Sequence, residues 1–124
     1  MLPFAIQFRP GLPVSEQLVY AVHKALVTGQ MKPGDPFPSV RQLSKELKIN
    51  PNTAHKVVAL LKQDGLLEVE PGRGTFISQN HVPSEADRGA LLEGKIEALV
   101  VEAKKLEIPK ETVQEAIDRH WDRF

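Results

Sequence analysis

The side chains of this sequence best equipped for chemistry are hydrogen-bond donors and fixed cations rather than nucleophiles. Asn50, Asn52, Thr53, His55 and Lys56 fall within seven positions, Ser39 and Arg41 stand shortly before them, and Arg73 sits between Gly72 and Gly74. Side-chain amides donate and accept on one planar group, hydroxyls do either, and Lys and Arg offer permanent charge to phosphate oxygens. Catalytic and metal chemistry find little support. The chain has no cysteine, which removes disulfides, thiolate zinc sites, iron–sulfur clusters and a cysteine nucleophile together. His23, His55, His81 and His120 are scattered without ligand-like spacing, so no metal is expected. No Gly-x-Ser-x-Gly or phosphate loop occurs, and Pro71-Gly72-Arg73-Gly74 is too short to cradle a nucleotide. Neither a cofactor nor an enzymatic activity is expected.

The elements around these residues follow from local signals. Ser39 opens Ser-Val-Arg-Gln, a capping box predicting a helix over residues 40–47 with Val40, Leu43 and Leu47 inward. Only Lys48 and Ile49 separate it from Asn50-Pro51, an N-cap followed by proline at the first helical position. The helix that begins there runs to Gly65, with Ala54, Val57, Val58 and Leu61 inward and Asn52, Thr53, His55 and Lys56 outward. Two short helices across a tight turn form a helix-turn-helix, whose second helix presents its start to a major groove. There Asn suits adenine, Thr a base edge or thymine methyl, and Lys guanine or phosphate, while the helix's positive end attracts the backbone.

Upstream, Phe4, Ile6 and Phe8 alternate with polar or small residues, which predicts a short strand or extended arm. Ser15 is expected to cap a helix reaching Thr28, with Leu18, Val22, Ala25 and Leu26 on one face and Gly29 as its stop. The proline-rich stretch over residues 30–38 reads as a loop. Downstream, two strand-forming runs flank the Pro-Gly-Arg-Gly turn and predict a hairpin with Arg73 at its tip. Behind a helix-turn-helix such a hairpin is a wing, and its glycines allow close approach to phosphate or a minor groove.

Composition places the chain among ordinary soluble proteins, with 41% hydrophobic and 26% charged residues. No apolar run is long enough to span a bilayer and the start lacks a secretory pattern, so a cytoplasmic protein without a membrane partner is expected. Net charge is zero but unevenly spread. Residues 1–80 hold nine Lys and Arg against six Asp and Glu, and residues 81–124 hold seven against ten. A basic front and acidic back suit a module facing DNA followed by one that does not.

In that acidic part Ser84 starts a helix predicted to reach about Leu106. Leu92, Ile96, Leu99, Ala103 and Leu106 recur at intervals of four and three, a heptad seam. Ile108-Pro109 breaks the chain, and a last helix from about Lys110 carries Val113, Ile117, Trp121 and Phe124 on one side. Two helices cannot bury both stripes alone, so pairing with a second copy is expected; packing onto the first helix of the chain is the alternative.

Residues 33–77, PGDPFPSVRQLSKELKINPNTAHKVVALLKQDGLLEVEPGRGTFI, resemble the N-terminal domain of the GntR family of bacterial transcription regulators. PGDPFPSVRQL, INPNT and GLLEVEPGRGTFI carry the match, and INPNT with the short tail resembles the YtrA-like subfamily, whose tail is a small helical dimerisation unit. The resemblance implies that Arg41 contacts DNA at the start of the second helix, that Asn50, Asn52, Thr53 and His55 lie on the recognition helix, and that Gly72 and Arg73 form the wing tip. Many relatives have arginine where this chain has Pro51, leaving Lys56 to replace that contact. Phe37 stands where leucine is usual, a core exchange.

The expected architecture is therefore mainly α with a small β hairpin: a winged helix-turn-helix over residues 1–79 and a two-helix dimerisation domain over residues 84–124. The expected activity is that of a homodimeric regulator, by analogy a repressor, on a palindromic double-stranded DNA operator. An unknown small-molecule effector would sit at a subunit or domain interface, because about forty residues in two helices leave little room for a pocket of ~300 Å³. A winged helix used for protein contact is a competing reading, as is RNA binding, although no aromatic platform is visible.

Overall fold

Two units make up the chain, Met1–His81 and Val82–Phe124, in a computed structural model that describes all 124 residues. The core of the first gathers Leu18, Val22, Met31, Leu43, Val57 and Leu61, all completely enclosed. Helix α1, Val14–Val27, buries Leu18, Ala21, Val22 and Ala25 at helical spacing. It begins one residue before Ser15, which lies buried in the first turn and caps nothing. Gly29, at φ +78°, ends it as expected.

The arm before α1 is extended but pairs with no strand. Its alternation survives as burial: Phe4 is enclosed with its ring stacked 6.4 Å from that of Phe37, while Ile6 and Phe8 are half-buried. A side chain replaces the missing strand partner. Gln17 accepts from the Arg9 N–H at 2.8 Å and donates to the Arg9 and Leu12 carbonyls at 3.0 and 2.9 Å, so one amide satisfies the backbone where the arm turns into α1.

Helix α2, Val40–Leu47, and helix α3, Pro51–Gln63, pack on each other and bury Leu43 against Ala54, Val57, Val58 and Leu61. Val40 and Leu47 are only half-buried. The turn between the helices is made by Lys48 in the left-handed region, φ 55° and ψ 48°, with the Ile49 N–H returning to the Ser44 carbonyl at 3.1 Å. This 6→1 bond is the hallmark of a Schellman stop, here built on a residue with a Cβ. After α3, strands β1, Leu67–Glu70, and β2, Gly74–Ile77, pair antiparallel with Leu67 opposite Ile77 and Glu70 opposite Gly74. A further pairing escaped the sequence. The Phe37 and Ile77 N–H groups donate to Thr75 and Asp35 carbonyls, both at 2.8 Å, and Gly34 donates to Ile77 at 2.9 Å. The proline-rich loop thus lies along β2 as an irregular third edge.

In the second unit the helix expected to run unbroken from Ser84 is divided into α4, Glu85–Gly89, a π-helical segment, Ala90–Lys95, and α5, Ile96–Lys105. Ser84 caps its start, accepting from the Asp87 N–H at 3.0 Å. A π segment turns less per residue than an α-helix, so Leu92 is rotated relative to Ile96, Leu99, Ala103 and Leu106 and the straight heptad seam is not preserved through it. Glu107, at φ 57°, reverses the chain before α6, Lys110–Arg123. Of the side chains in this unit only Ala103 is buried.

A lysine in the left-handed region costs about 1–2 kcal/mol that glycine avoids, partly offset by glycine's looser unfolded chain. Lys48→Gly is therefore expected to stabilise the free protein by about 0.5–1 kcal/mol in urea unfolding. A loss of stability would mean that the Lys48 side chain supports the turn.

Candidate nucleic-acid interface

Two caps place the start of each helix of the pair. The Gln42 N–H donates to Ser39 Oγ at 3.1 Å, and the Asn52 N–H donates to Asn50 Oδ1 at 2.8 Å. The reciprocal half of the capping box, from the Ser39 N–H to the Gln42 side chain, is not formed. Hydrogen bonds from the Met1 ammonium and from Gln42 hold the Glu46 carboxyl below its ordinary range. Ser39 and Asn50 thus act as caps, while the Ser39 hydroxyl proton and the Asn50 amide donors are not used by the caps.

Beyond the caps the surface is polar and unclaimed. Arg41, Asn52, His55 and Lys56 are exposed, Thr53 is half-buried, and Ala54 between them is completely enclosed. No carboxylate lies within ion-pair distance of Arg41 or Lys56, which removes the simplest structural role for Arg41. The start of α3 therefore offers amide, hydroxyl, imidazole and ammonium groups at the positive end of the helix dipole, an arrangement that attracts phosphate and can bond base edges.

The wing is the second component. Pro71 and Gly72 occupy the centre of a tight turn closed by the Arg73 N–H on the Glu70 carbonyl at 2.9 Å. Gly72 at φ +78° takes the position that a type II turn reserves for glycine. Arg73 is exposed at the tip but not unpaired, since its Nη1 donates to Glu70 Oε2 at 2.8 Å. Nothing in the order of residues signalled that pair. The two components share a frame, because β1 packs on α3 and the backbone leading into Ser39 and Arg41 is bonded to β2. No hydrogen bond or ion pair joins the α3 start directly to the wing.

Elsewhere in this unit an open groove of about 300 Å³ runs between the arm and α1, lined among others by Ile6, Arg9, Gln17 and Tyr20. It lies within the first unit.

A capped polar helix start behind a tight turn, flanked by a two-stranded hairpin, defines a winged helix-turn-helix, a class of module that binds double-stranded DNA. The chain belongs to the family described as bacterial regulatory proteins, gntR family, whose pattern matches residues 14–77. It is 37% identical over 98 residues to the HTH-type transcriptional repressor YtrA of Bacillus subtilis, covering 79% of this chain and 71% of that one. It is 31% identical over 111 residues to the uncharacterised HTH-type transcriptional regulator YhcF of the same organism, covering 90% of this chain and 92% of the relative. A crystal structure of a transcriptional antiterminator from Listeria monocytogenes EGD-e superposes with a TM-score of 0.83 at 25% identity, over 94% of this chain and 88% of that chain. The chain is thus a DNA-binding transcription regulator of the GntR family with YtrA-like relatives, and its family is not one of enzymes. No helix is long and apolar enough to cross a membrane.

Because Asn50 supplies the cap of α3, Asn50→Ala should lower stability by about 0.5–2 kcal/mol, and Asn50→Ser should recover most of it. Equal unfolding midpoints for the wild type and Asn50→Ala would show that the 2.8 Å bond contributes nothing.

Proposed function

We propose that this chain is a cytoplasmic repressor that binds a palindromic operator as a homodimer. One observation carries the DNA-facing half: Arg41, Asn52, His55 and Lys56 are exposed, and neither Arg41 nor Lys56 has an ion-pair partner. In this reading Asn52, Thr53, His55 and Lys56 meet base edges and phosphates, with Lys56 standing in for the arginine that Pro51 displaces. Arg41 contacts the backbone or a base at the start of α2, Ser39 and Asn50 contribute from their cap positions, and Gly72 and Arg73 bring the wing to a neighbouring phosphate.

The second unit supports the dimer. Leu92, Ile96, Leu99, Leu106 and Ile117 are all exposed, and Trp121 retains 80% of its accessible surface. So much uncovered apolar surface on so few residues is more than a lone chain keeps in water, and a second copy of the same helices would cover it symmetrically. Residues 84–124 are thus assigned to dimerisation and residues 1–79 to DNA; Ala103, already buried within a single chain, adds no open surface to the pairing. Two recognition helices related by a twofold axis would read half-sites spaced by about 34 Å or a multiple of it. Repression is supported by the name of the Bacillus subtilis relative; a dimer seated on a promoter excludes polymerase without further machinery.

Arg41→Ala is expected to weaken binding to a duplex selected by the wild type by about 1–3 kcal/mol. Unchanged affinity in an anisotropy titration would remove Arg41 from the interface. Leu99→Glu places a charge in the proposed dimer core, so sedimentation should show a monomer and operator affinity should collapse. A dimer that survives this substitution and still binds would refute the assigned surface.

A further inference from the structure

The wing holds its own cation. Arg73 Nη1 donates to Glu70 Oε2 at 2.8 Å, and the guanidinium carbon lies 5.5 Å from the centroid of the Phe76 ring. The hairpin imposes this closeness, since the Arg73 N–H is bonded to the Glu70 carbonyl and Glu70 pairs with Gly74 across the strands. A carboxylate oxygen therefore occupies one donor of the cation that a phosphate oxygen would take, with the same charge-assisted chemistry. Arg41 and Lys56 carry no such partner. Glu68, two residues back on the same strand, is engaged differently, accepting from the Ser78 hydroxyl at 2.8 Å.

We propose that Glu70 sets the DNA affinity of the wing as an intramolecular substitute for a phosphate oxygen, from which Arg73 must be released before the wing closes on the duplex. The inference rests on the reading of the wing as a DNA-contacting element. Three properties follow from the geometry. The pair is exposed, 72% for Arg73 and 45% for Glu70, so the exchange is modest in size. Once Arg73 turns to the phosphate its pair with Glu70 is lost, so removing the carboxylate's charge takes away what binding must break. Phosphate contacts carry no sequence information, so the effect falls equally on every duplex.

The experiment is an anisotropy titration of the full chain against two labelled duplexes, one selected by the wild type from a random pool and one of the same length with shuffled sequence. The variants are Glu70→Gln, Arg73→Ala, both together, and Glu68→Gln. Glu70→Gln, which preserves shape, should tighten both duplexes by roughly two- to tenfold and leave their ratio unchanged. In the Arg73→Ala background the same substitution should change nothing, and Glu68→Gln should behave as wild type. Equal or weaker binding by Glu70→Gln overturns the proposal, because the carboxylate would then be idle or would be orienting Arg73. A gain that persists without Arg73, or that Glu68→Gln reproduces, overturns it as well and assigns the effect to bulk charge. A wild type that binds neither duplex overturns the DNA reading itself, a failure distinct from a flat mutant cycle on a wild type that binds.

Discussion

The orientation of α3 depends on a single constraint, the burial of Ala54, Val57, Val58 and Leu61 on one of its sides. Fully burying a valine or leucine side chain is worth about 1.5–3 kcal/mol, so rotating the helix by half a turn would forfeit three such terms at once. That rotation is blocked, and the polar residues interleaved with the apolar ones must face outward. Leu43 of α2 supplies the opposing surface, and Lys48 sets the angle at which α3 leaves it by accepting a backbone conformation that glycine would take without cost. The DNA-facing surface is thus a by-product of packing. Its chemistry is chosen at positions where the core makes no demand.

The wing is fastened to the same frame. Strand β2 is bonded on one side to β1 and on the other to the backbone at Asp35 and Phe37. That backbone runs directly into the cap at Ser39, so displacement of the hairpin would be transmitted to the start of α2. Phe37 fixes the junction from below, its ring stacked on Phe4 of the arm. Two separated stretches of sequence are in this way held at set positions on one small unit, as reading a duplex in two places requires.

How much of this the sequence disclosed depended on the range of the interaction concerned. Helices α2 and α3 were legible nearly to the residue, because Ser39, Asn50 and Pro51 act within three positions of themselves and the apolar spacing left one possible inner face. The hairpin was legible for the same reason, through Pro71 and Gly72. Ser15 misled because a serine near a helix start has two uses, and the structure buries it in the first turn while Pro13 occupies the cap position. The arm had the alternation of a strand but no partner to pair with, and Gln17 as its substitute has no signature beyond being a glutamine. The edge formed by residues 34–37 on β2 and the pair between Glu70 and Arg73 exist only once the hairpin has closed. The π segment at Ala90–Lys95 is invisible to apolar spacing, which assumes a constant rotation per residue. Among the site residues, the sequence separated outward from inward positions on α3, but it did not show which were already occupied: Ser39 and Asn50 by backbone, Arg73 by a carboxylate.

The central claim, that the start of α3 and the tip of the wing together form the surface applied to DNA, is tested most directly by following backbone amide resonances while a selected duplex is titrated into labelled protein. The account predicts the largest shifts at Asn50, Asn52, Thr53, His55 and Lys56 and at Gly72 and Arg73, with Arg41 following, while the amides of α1 around Tyr20 stay in place. Shifts concentrated on α1 or on the second unit, with the start of α3 unmoved, would contradict it.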